Sequence, residues 1–366
     1  MSQLLSPLSS LFPRSRSIMQ RSIRLFSSSS STSPCMPFSV TEKDYTDGVS
    51  IGDVLLLDAA KEELLTVPDK TVPAELANSG VVGASHGWGF FCNRQDRSVR
   101  ISDFFSPFAS KSNPTMIPLP PFTALHACQT ENVWNVAMSS SPPDQDDGEE
   151  WVVGIQFLGN QLSICSPRRD LRWTNIEIPF GSLLNSNLMY SKRDQTFNMP
   201  APGGNYMCSW DLLFRQENYP KVYELLFHNL PELPQSSWEL LDSCLKEDHW
   251  VESPSGESFL VKWYSPVSSP LSIFMVFREE ETNEGRRNMC YTEDIGDMCI
   301  FLSKSEAFCV QASSFPGLKP NSIYHIGRGV AVYDLTAKSV SHFELIKGEP
   351  KEIPPSIPYW LPPFSI

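Results

Sequence analysis

Tyr291 to Ile326, YTEDIGDMCIFLSKSEAFCVQASSFPGLKPNSIYHI, is the stretch that decides the fold. Two apolar runs, Met298 to Leu302 and Ala307 to Val310, flank the polar tetrapeptide Ser303-Lys304-Ser305-Glu306. Short apolar runs split by a few polar residues read as two antiparallel strands joined by a tight turn. A compact loop follows in Ser314-Phe315-Pro316-Gly317-Leu318-Lys319-Pro320-Asn321. Pro316 fixes φ and Gly317 permits positive φ, so the chain turns sharply before Ile323 and Tyr324 open another strand.

Working outward, the same grammar recurs. Gly83 to Phe91, Arg100 to Phe105 and Ile117 to Phe122 make one unit. Leu125 through Trp134 to Met138, Trp151 to Leu158, Gln161 to Ser166 and Trp173 make a second. Leu188 to Tyr190, Gln195 to Met199, Met207 to Phe214 and Val222 to Phe227 make a third. A fourth starts at Trp238 and takes in Trp250-Val251, Ser258 to Tyr264, Ile273 to Arg278 and Asn288 to Tyr291. Gly329 to Leu335 and Ser339 to Leu345 supply the last strands, and Val54 to Asp58 with Leu64 to Val67 are two strands, or a strand and a helical turn. Such loose repetition, at roughly the length of a kelch-like blade, predicts an all-β fold: a β-propeller of about six blades, with seven allowed, whose last strands pair with the first segment.

The 366 residues include 31 prolines, 19 glycines and nine tryptophans, a composition of short strands and turns and not of a helical bundle. The net charge is −13, yet Arg14, Arg16, Arg21 and Arg24 come before the first acid, Glu42. Removing those four from the 29 basic residues leaves 25 against 42 acidic ones, a balance of −17. A body this acidic repels phosphate backbones and anionic lipid, so neither nucleic acid nor a membrane face is expected. No apolar run reaches the ~20 residues of a membrane span. The cysteines at 35, 92, 128, 165, 208, 244, 290, 299 and 309 are scattered without a C-x-x-C pair, and reduced thiols are expected.

Residues 1–34 have the composition of an organellar transit peptide: arginine and serine without acid, with Ile18, Arg21 and Leu25 able to share a helical face. Arg24-Leu25-Phe26 followed by Ser27 resembles a mitochondrial processing site, so a mitochondrial address is expected ahead of a chloroplast one, with a cut near Phe26. The organisation predicted is a disordered leader over 1–34, read through 1–26 by import machinery, a linker over 35–50, a propeller over 51–350, and a proline- and aromatic-rich tail over 351–366 that packs on it.

The order Gly296-Asp297, apolar strand, polar turn, Phe308, then Phe315-Pro316-Gly317-Leu318-Lys319-Pro320-Asn321-Ser322-Ile323-Tyr324 resembles the signature of the plant KIB-type β-propeller family, domain of unknown function 295. Ser85-His86-Gly87-Trp88-Gly89-Phe90-Phe91 is similar to its SHGW strand, and Pro358-Tyr359-Trp360-Leu361-Pro362-Pro363 to its closing segment. Many relatives carry an F-box and look like substrate adaptors of ubiquitin ligases. Here no leucine-rich three-helix segment stands between the leader and Val81, so the resemblance is to an organellar branch lacking the F-box, and ligase assembly is not carried over.

Candidate chemistry is thin. His86 among glycines invites comparison with a hydrolase oxyanion loop, but no G-x-S-x-G elbow accompanies it, and packing of Trp88 is the better reading. Asp248-His249-Trp250 places an acid beside an imidazole, although triad partners meet through the fold; a turn before a strand is expected. Asp144 to Glu150 has its glycine one position early for an EF-hand. Glu279 to Arg287 reads as a charged hairpin tip and a place for a partner, and Pro200-Ala201-Pro202-Gly203-Gly204-Asn205 as a turn. No catalytic, cofactor-binding or metal-ligating residue is therefore assigned, and no cofactor is expected. The function expected is a non-enzymatic mitochondrial scaffold for an unknown protein partner. The rival is a hydrolase or lyase using carboxylates and histidines gathered in a propeller channel.

Overall fold

The computed structural model describes residues 24–25, 31–46, 49–77, 79–122, 132–142, 150–183, 186–211, 219–267, 272–280, 285–327, 329–343 and 359–365. Strands β1 (Arg24–Leu25), β2 (Cys35–Thr46), β3 (Val49–Asp58) and β4 (Glu63–Val72) form a first sheet in the order β1-β4-β3-β2. A one-turn helix, α1 (Ala74–Ala77), leads to the second sheet, β5 (Ser79–Ser85), β6 (Trp88–Asn93), β7 (Val99–Ser102) and β8 (Met116–Leu119). The third is β9 (Val133–Met138), β10 (Val153–Phe157), β11 (Gln161–Cys165) and β12 (Thr174–Glu177).

The fourth sheet has eight strands in two antiparallel halves. One half is β13 (Met189–Ser191), β14 (Thr196–Pro200), β15 (Tyr206–Asp211) and β16 (Lys221–His228). After helix α2 (Gln235–Ser243), the other is β17 (Leu245–Glu252), β18 (Ser258–Ser265), β19 (Ile273–Glu280) and β20 (Arg286–Thr292). Their last strands, β16 and β20, pair in parallel from Glu224 and Arg286 to His228 and Cys290, while β13 and β14 pack back against β17, so the sheet curls toward a barrel.

The fifth sheet comes from the deciding stretch: β21 (Met298–Leu302), β22 (Phe308–Gln311), β23 (Ser322–Ile326), β24 (Val330–Asp334) and β25 (Ser339–His342), in the order β22-β21-β23-β24-β25. The hairpin forms as the apolar runs predict, with Phe301 opposite Phe308. Strand β23 then lies parallel to β21 on its other side, so the Phe315 to Asn321 loop is a crossover. Gly317 at φ 113° and Asn321 at φ 52° make that crossover short.

Core residues lie in layers between successive sheets. Val82, Phe90 and Ile101 of the second sheet meet Val136, Val153 and Phe157 of the third. Ala137 and Leu162 of the third meet Phe197 and Met199 of the fourth. Within the fourth, Met207 and Leu225 meet Trp250, Leu260 and Phe277. Trp263 and Phe274 then meet Ile300 and Ile323 of the fifth, whose Phe301 and Tyr324 meet Met36 and Leu57 of the first. Leu56 and Leu65 complete the circuit against Phe91 and Phe104. Each sheet buries both faces against neighbours and the last layer returns to the first, which is the packing of an all-β propeller.

The closure is made by both ends of the described chain. Cys35 N–H donates to Leu361 O (3.1 Å) and Leu361 N–H to Cys35 O (2.8 Å), with Thr32 N–H on Phe364 O at 2.8 Å. Residues 359–365 thus run beside β2, with Trp360 and Leu361 buried. The linker expected over 35–50 is corrected: it holds strand β2. Register shifts at Pro37/Ser39 and Glu42/Asp44 destroy its period-2 pattern, and its polar end is solvated, with Lys43 bridging Asp53 (2.7 Å) and Asp69 (3.0 Å). The folded body accordingly starts before residue 51, with Ser31 to Pro34 already in place, so residues 31–34 belong to the ring and not to a leader. Most of 1–30 lies outside the described residues. Trp238, expected to open a strand unit, sits on α2.

Candidate functional site

Only toward the axis of a ring can one side chain reach beyond the sheets that flank its own. Glu306, in the turn between β21 and β22, does so. Its carboxylate accepts from Ser85 Oγ–H at the end of β5 (2.5 Å) and from the Tyr190 N–H of β13 (2.8 Å). Ser85 Oγ in turn accepts the Met138 N–H of β9 (3.1 Å). The fifth sheet is therefore tied to the second, third and fourth through one carboxyl. The neighbouring Lys304 reaches the opposite way, its Nζ 5.5 Å from the Trp134 ring centroid. Ser303 and Ser305 fix the turn to the C-terminal segment: Trp360 N–H donates to Ser303 Oγ (3.0 Å) and Ser305 Oγ–H to Trp360 O (3.2 Å).

The electrostatics follow from this placement. Burial pushes the Glu306 carboxyl up to about 7, against the hydrogen bonds from Ser85, Tyr190 and Met138 and the charge of Lys192. Burial, helped by Lys192, pulls His86 down to about 4; its Nε2 stands 3.2 Å from Met138 O. Burial also raises Glu247, with Lys304 opposing. On the same rim Glu252 accepts from Ser191 Oγ–H and, at 3.0 Å, from Lys192 N–H. Chemically this is a carboxyl and a hydroxyl in a short hydrogen bond, but Ser85 is 3% exposed and offers no face to a substrate.

The residues singled out from sequence are placed elsewhere. His86 (φ 50°) and Gly87 (φ 83°) form the two-residue turn between the paired Ser85 and Trp88, and a Cβ on Gly87 would lie 2.9 Å from the Phe364 ring. Trp88 packs on the layer between second and third sheets. Asp248, His249 and Trp250 lie inside β17, not in a turn, so alternation sends Asp248 and His249 to opposite faces and no dyad forms. Asp248 bonds Lys262 Nζ (2.6 Å), and the pair holds the Pro200 to Asn205 turn: Gly203 N–H donates to Asp248 at 3.2 Å and Lys262 to Gly204 O at 3.0 Å. Burial depresses His249 to about 4.

Glu279 and Arg287 are not at an exposed tip. They are buried in a four-charge ring: Arg287 to Asp194 (2.5 Å) and Glu279 (3.0 Å), Arg193 to Glu279 (2.7 Å) and Asp194 (3.0 Å). Residues 281–284 between them, and 144–149 of the acidic loop, lie outside the described residues. Among the described residues no group of three His, Cys, Asp or Glu side chains has the geometry to hold a metal, and eight cysteines are free. An open acidic cleft runs past Glu293, Asp294, Asp297 and Asn321. Its acids serve the fold: Asp294 caps Gly296 N–H at 2.8 Å and Asp297 caps Ser313 N–H at 3.1 Å. Glu306 was invisible as a functional residue because Ser-Lys-Ser-Glu between apolar runs has the composition of any solvated turn.

Solved structures that resemble this one do so distantly. A protein from Lactobacillus plantarum is 10% identical with a TM-score of 0.36, covering 93% of this chain and 86% of its own. The periplasmic gluconolactonase PpgL of Pseudomonas aeruginosa is 13% identical with a TM-score of 0.35, over 90% of this chain and 82% of its own. Likeness at this level bears on no function. No curated protein sequence matches the chain. The family model described as KIB1-4 beta-propeller matches residues 56–343, from the end of β3 to just past β25. With that match spanning most of the sequence and the ring of sheets it implies in place, the chain belongs to the KIB1-4 β-propeller family.

Proposed function

We propose that this chain is a non-catalytic mitochondrial propeller of six blades that serves as an interaction platform for a protein partner. Six is the count reached when the eight-stranded sheet is taken as two blades, and it equals the number of apolar layers around the ring. The observation that carries the non-catalytic reading is the axial turn. Propeller channels are where side chains from several blades converge on a ligand; here Ser303, Ser305 and Glu306 of the turn are bonded instead to Ser85, Tyr190 and Trp360 of the protein itself. The mitochondrial part rests on the arginine-rich, acid-free leader alone.

Affinity purification of the imported form from isolated mitochondria, with mass spectrometry, tests the platform reading. A partner recovered in stoichiometric amount is expected, and its absence at every salt concentration would refute it. The same preparation tests the address, since a leader-fluorescent-protein fusion directed to plastids would overturn it. A hydrolase reading is favoured by one observation, the Ser85–Glu306 pair with its raised carboxyl. Fluorophosphonate labelling of the folded protein discriminates: Ser85 is expected to stay unlabelled, and labelling lost in Ser85→Ala would reinstate an enzyme.

A further inference from the structure

We propose that the outer edge of β4 is a docking seat for an extended segment of a protein partner, added in parallel as a further strand, and that β1 of the leader fills this seat until the leader is removed. The proposal rests on the platform reading and says where on the ring a partner binds. The second, third and fourth sheets reach the axis through β5, β9 and β13, and the first through β2 and the segment of Trp360, which is bonded to the axial turn. Their opposite ends lie at the rim, where an unpaired strand edge can recruit another chain. Most rim edges are blunted. Strands β8, β12 and β25 have four residues each, β8 carries Pro118, and β16 and β20 pair with each other.

Strand β4 differs: it runs ten residues, and Leu64-Leu65-Thr66-Val67 are apolar or β-branched. Its far end is closed by Pro68, which has no N–H, and by the bond from Thr71 N–H to Lys111 O at 2.7 Å. The part that can be extended is therefore Leu64 to Val67. There β1 lies in parallel, with Arg24 opposite Leu65 and Leu25 opposite Thr66. Counting the 359–365 segment with β2, β3 and β4, the first sheet matches the four strands of the second and third without β1. So β1 is an addition to a complete sheet, and it belongs to the segment expected to be cut away near Phe26. Backbone pairing gives such a seat its affinity, and the flanking side chains give it preference. Carried N-terminally in the register of β1, an occupant passes Glu63 and then the exposed Glu62, on a body whose balance is −17. The segment that fits has basic residues ahead of apolar ones that lie beside Leu65 and Thr66.

Hydrogen exchange of the full chain, read by mass spectrometry over Leu64 to Val67, tests the seat. Arg24→Pro with Leu25→Pro removes both N–H groups of β1. Exchange over Leu64 to Val67 is then expected to rise about tenfold, while β18 in the interior of the fourth sheet stays as protected as in the wild type. The probe standing in for the partner is a synthetic peptide of residues 20–29, which should restore protection to the variant saturably; the same peptide with both prolines should not. Equal exchange in wild type and variant, no restoration, or equal restoration by the proline peptide would each overturn the proposal. Lost protection across β18 would do so too, since a strand that the fold requires cannot be exchanged for another. A partner recovered from mitochondria is expected to be displaced by the probe peptide, and one that stays bound sits elsewhere and overturns the assignment. The exchange measurement needs no partner, so failure of the seat and failure of the platform reading are told apart.

Discussion

Gly317 is held by two constraints at once. Its φ of 113° disfavours any side chain, and a Cβ there would lie 2.1 Å from the carbonyl oxygen of Ala60, across the junction between the last and first sheets. Gly317→Ala is expected to destabilise by about 2–4 kcal/mol, because backbone cannot retreat as a flexible side chain would; an unchanged urea midpoint would contradict it. The glycine was legible as a turn former, but its contact with Ala60 was not, since residues 257 positions apart carry no local mark of their meeting. His249 poses a second residue-scale test. Burial holds it neutral with a folded value of about 4 against 6.5 unfolded, so its contribution is intact above pH 6.5 and is lost as pH falls toward 4. The loss should reach about 2 kcal/mol by pH 5 and be absent in His249→Gln, measured as the difference in unfolding free energy between pH 7 and pH 5. Parallel pH slopes in the two proteins would count against it.

At the scale of elements, the strands of the deciding stretch were legible because each side of the Ser303 to Glu306 turn is apolar and short. Strand β2 was hidden by its register shifts, and α2 by its length, since nine residues from Gln235 to Ser243 give too few periods to announce a helix. The axial site was not legible at all: its members are Ser85, Met138, Tyr190 and Glu306, and only the ring brings them together. Element boundaries also set a limit on trimming. Among the described residues, removing 1–30 takes away β1, a two-residue edge strand on β4, whereas removing 1–35 also strips the partners of Leu361 and Phe364. The first deletion is expected to change the melting temperature little, and the second to lower it by roughly 5 °C or more for a loss of a few kcal/mol. Equal melting of both proteins would show that residues 31–35 do not close the ring.

For the whole molecule, the layers of apolar side chains between sheets supply most of the stability, as the 41% hydrophobic composition predicts. Two buried charge networks stand among these layers: the four-charge ring of Arg193, Asp194, Glu279 and Arg287, and the Asp248–Lys262 pair, both within the eight-stranded sheet. Lys262→Met should cost about 3–5 kcal/mol, since it leaves the Asp248 charge buried without its cation, and the double change with Asp248→Leu should recover much of that loss. Chemical denaturation of the two variants checks the order; a double variant weaker than the single one would refute it.

The pairing of Cys35 with Leu361 has a consequence in time as well as in space. These partners are more than 300 positions apart, so the first sheet cannot be finished while the tail is still in a ribosome. Until then the inner edge of β2 stands open, able to be recruited by a neighbour or shielded by a chaperone. The ring therefore reaches its closed form only once the last residues are free to pair, which makes closure a late event in the life of the chain.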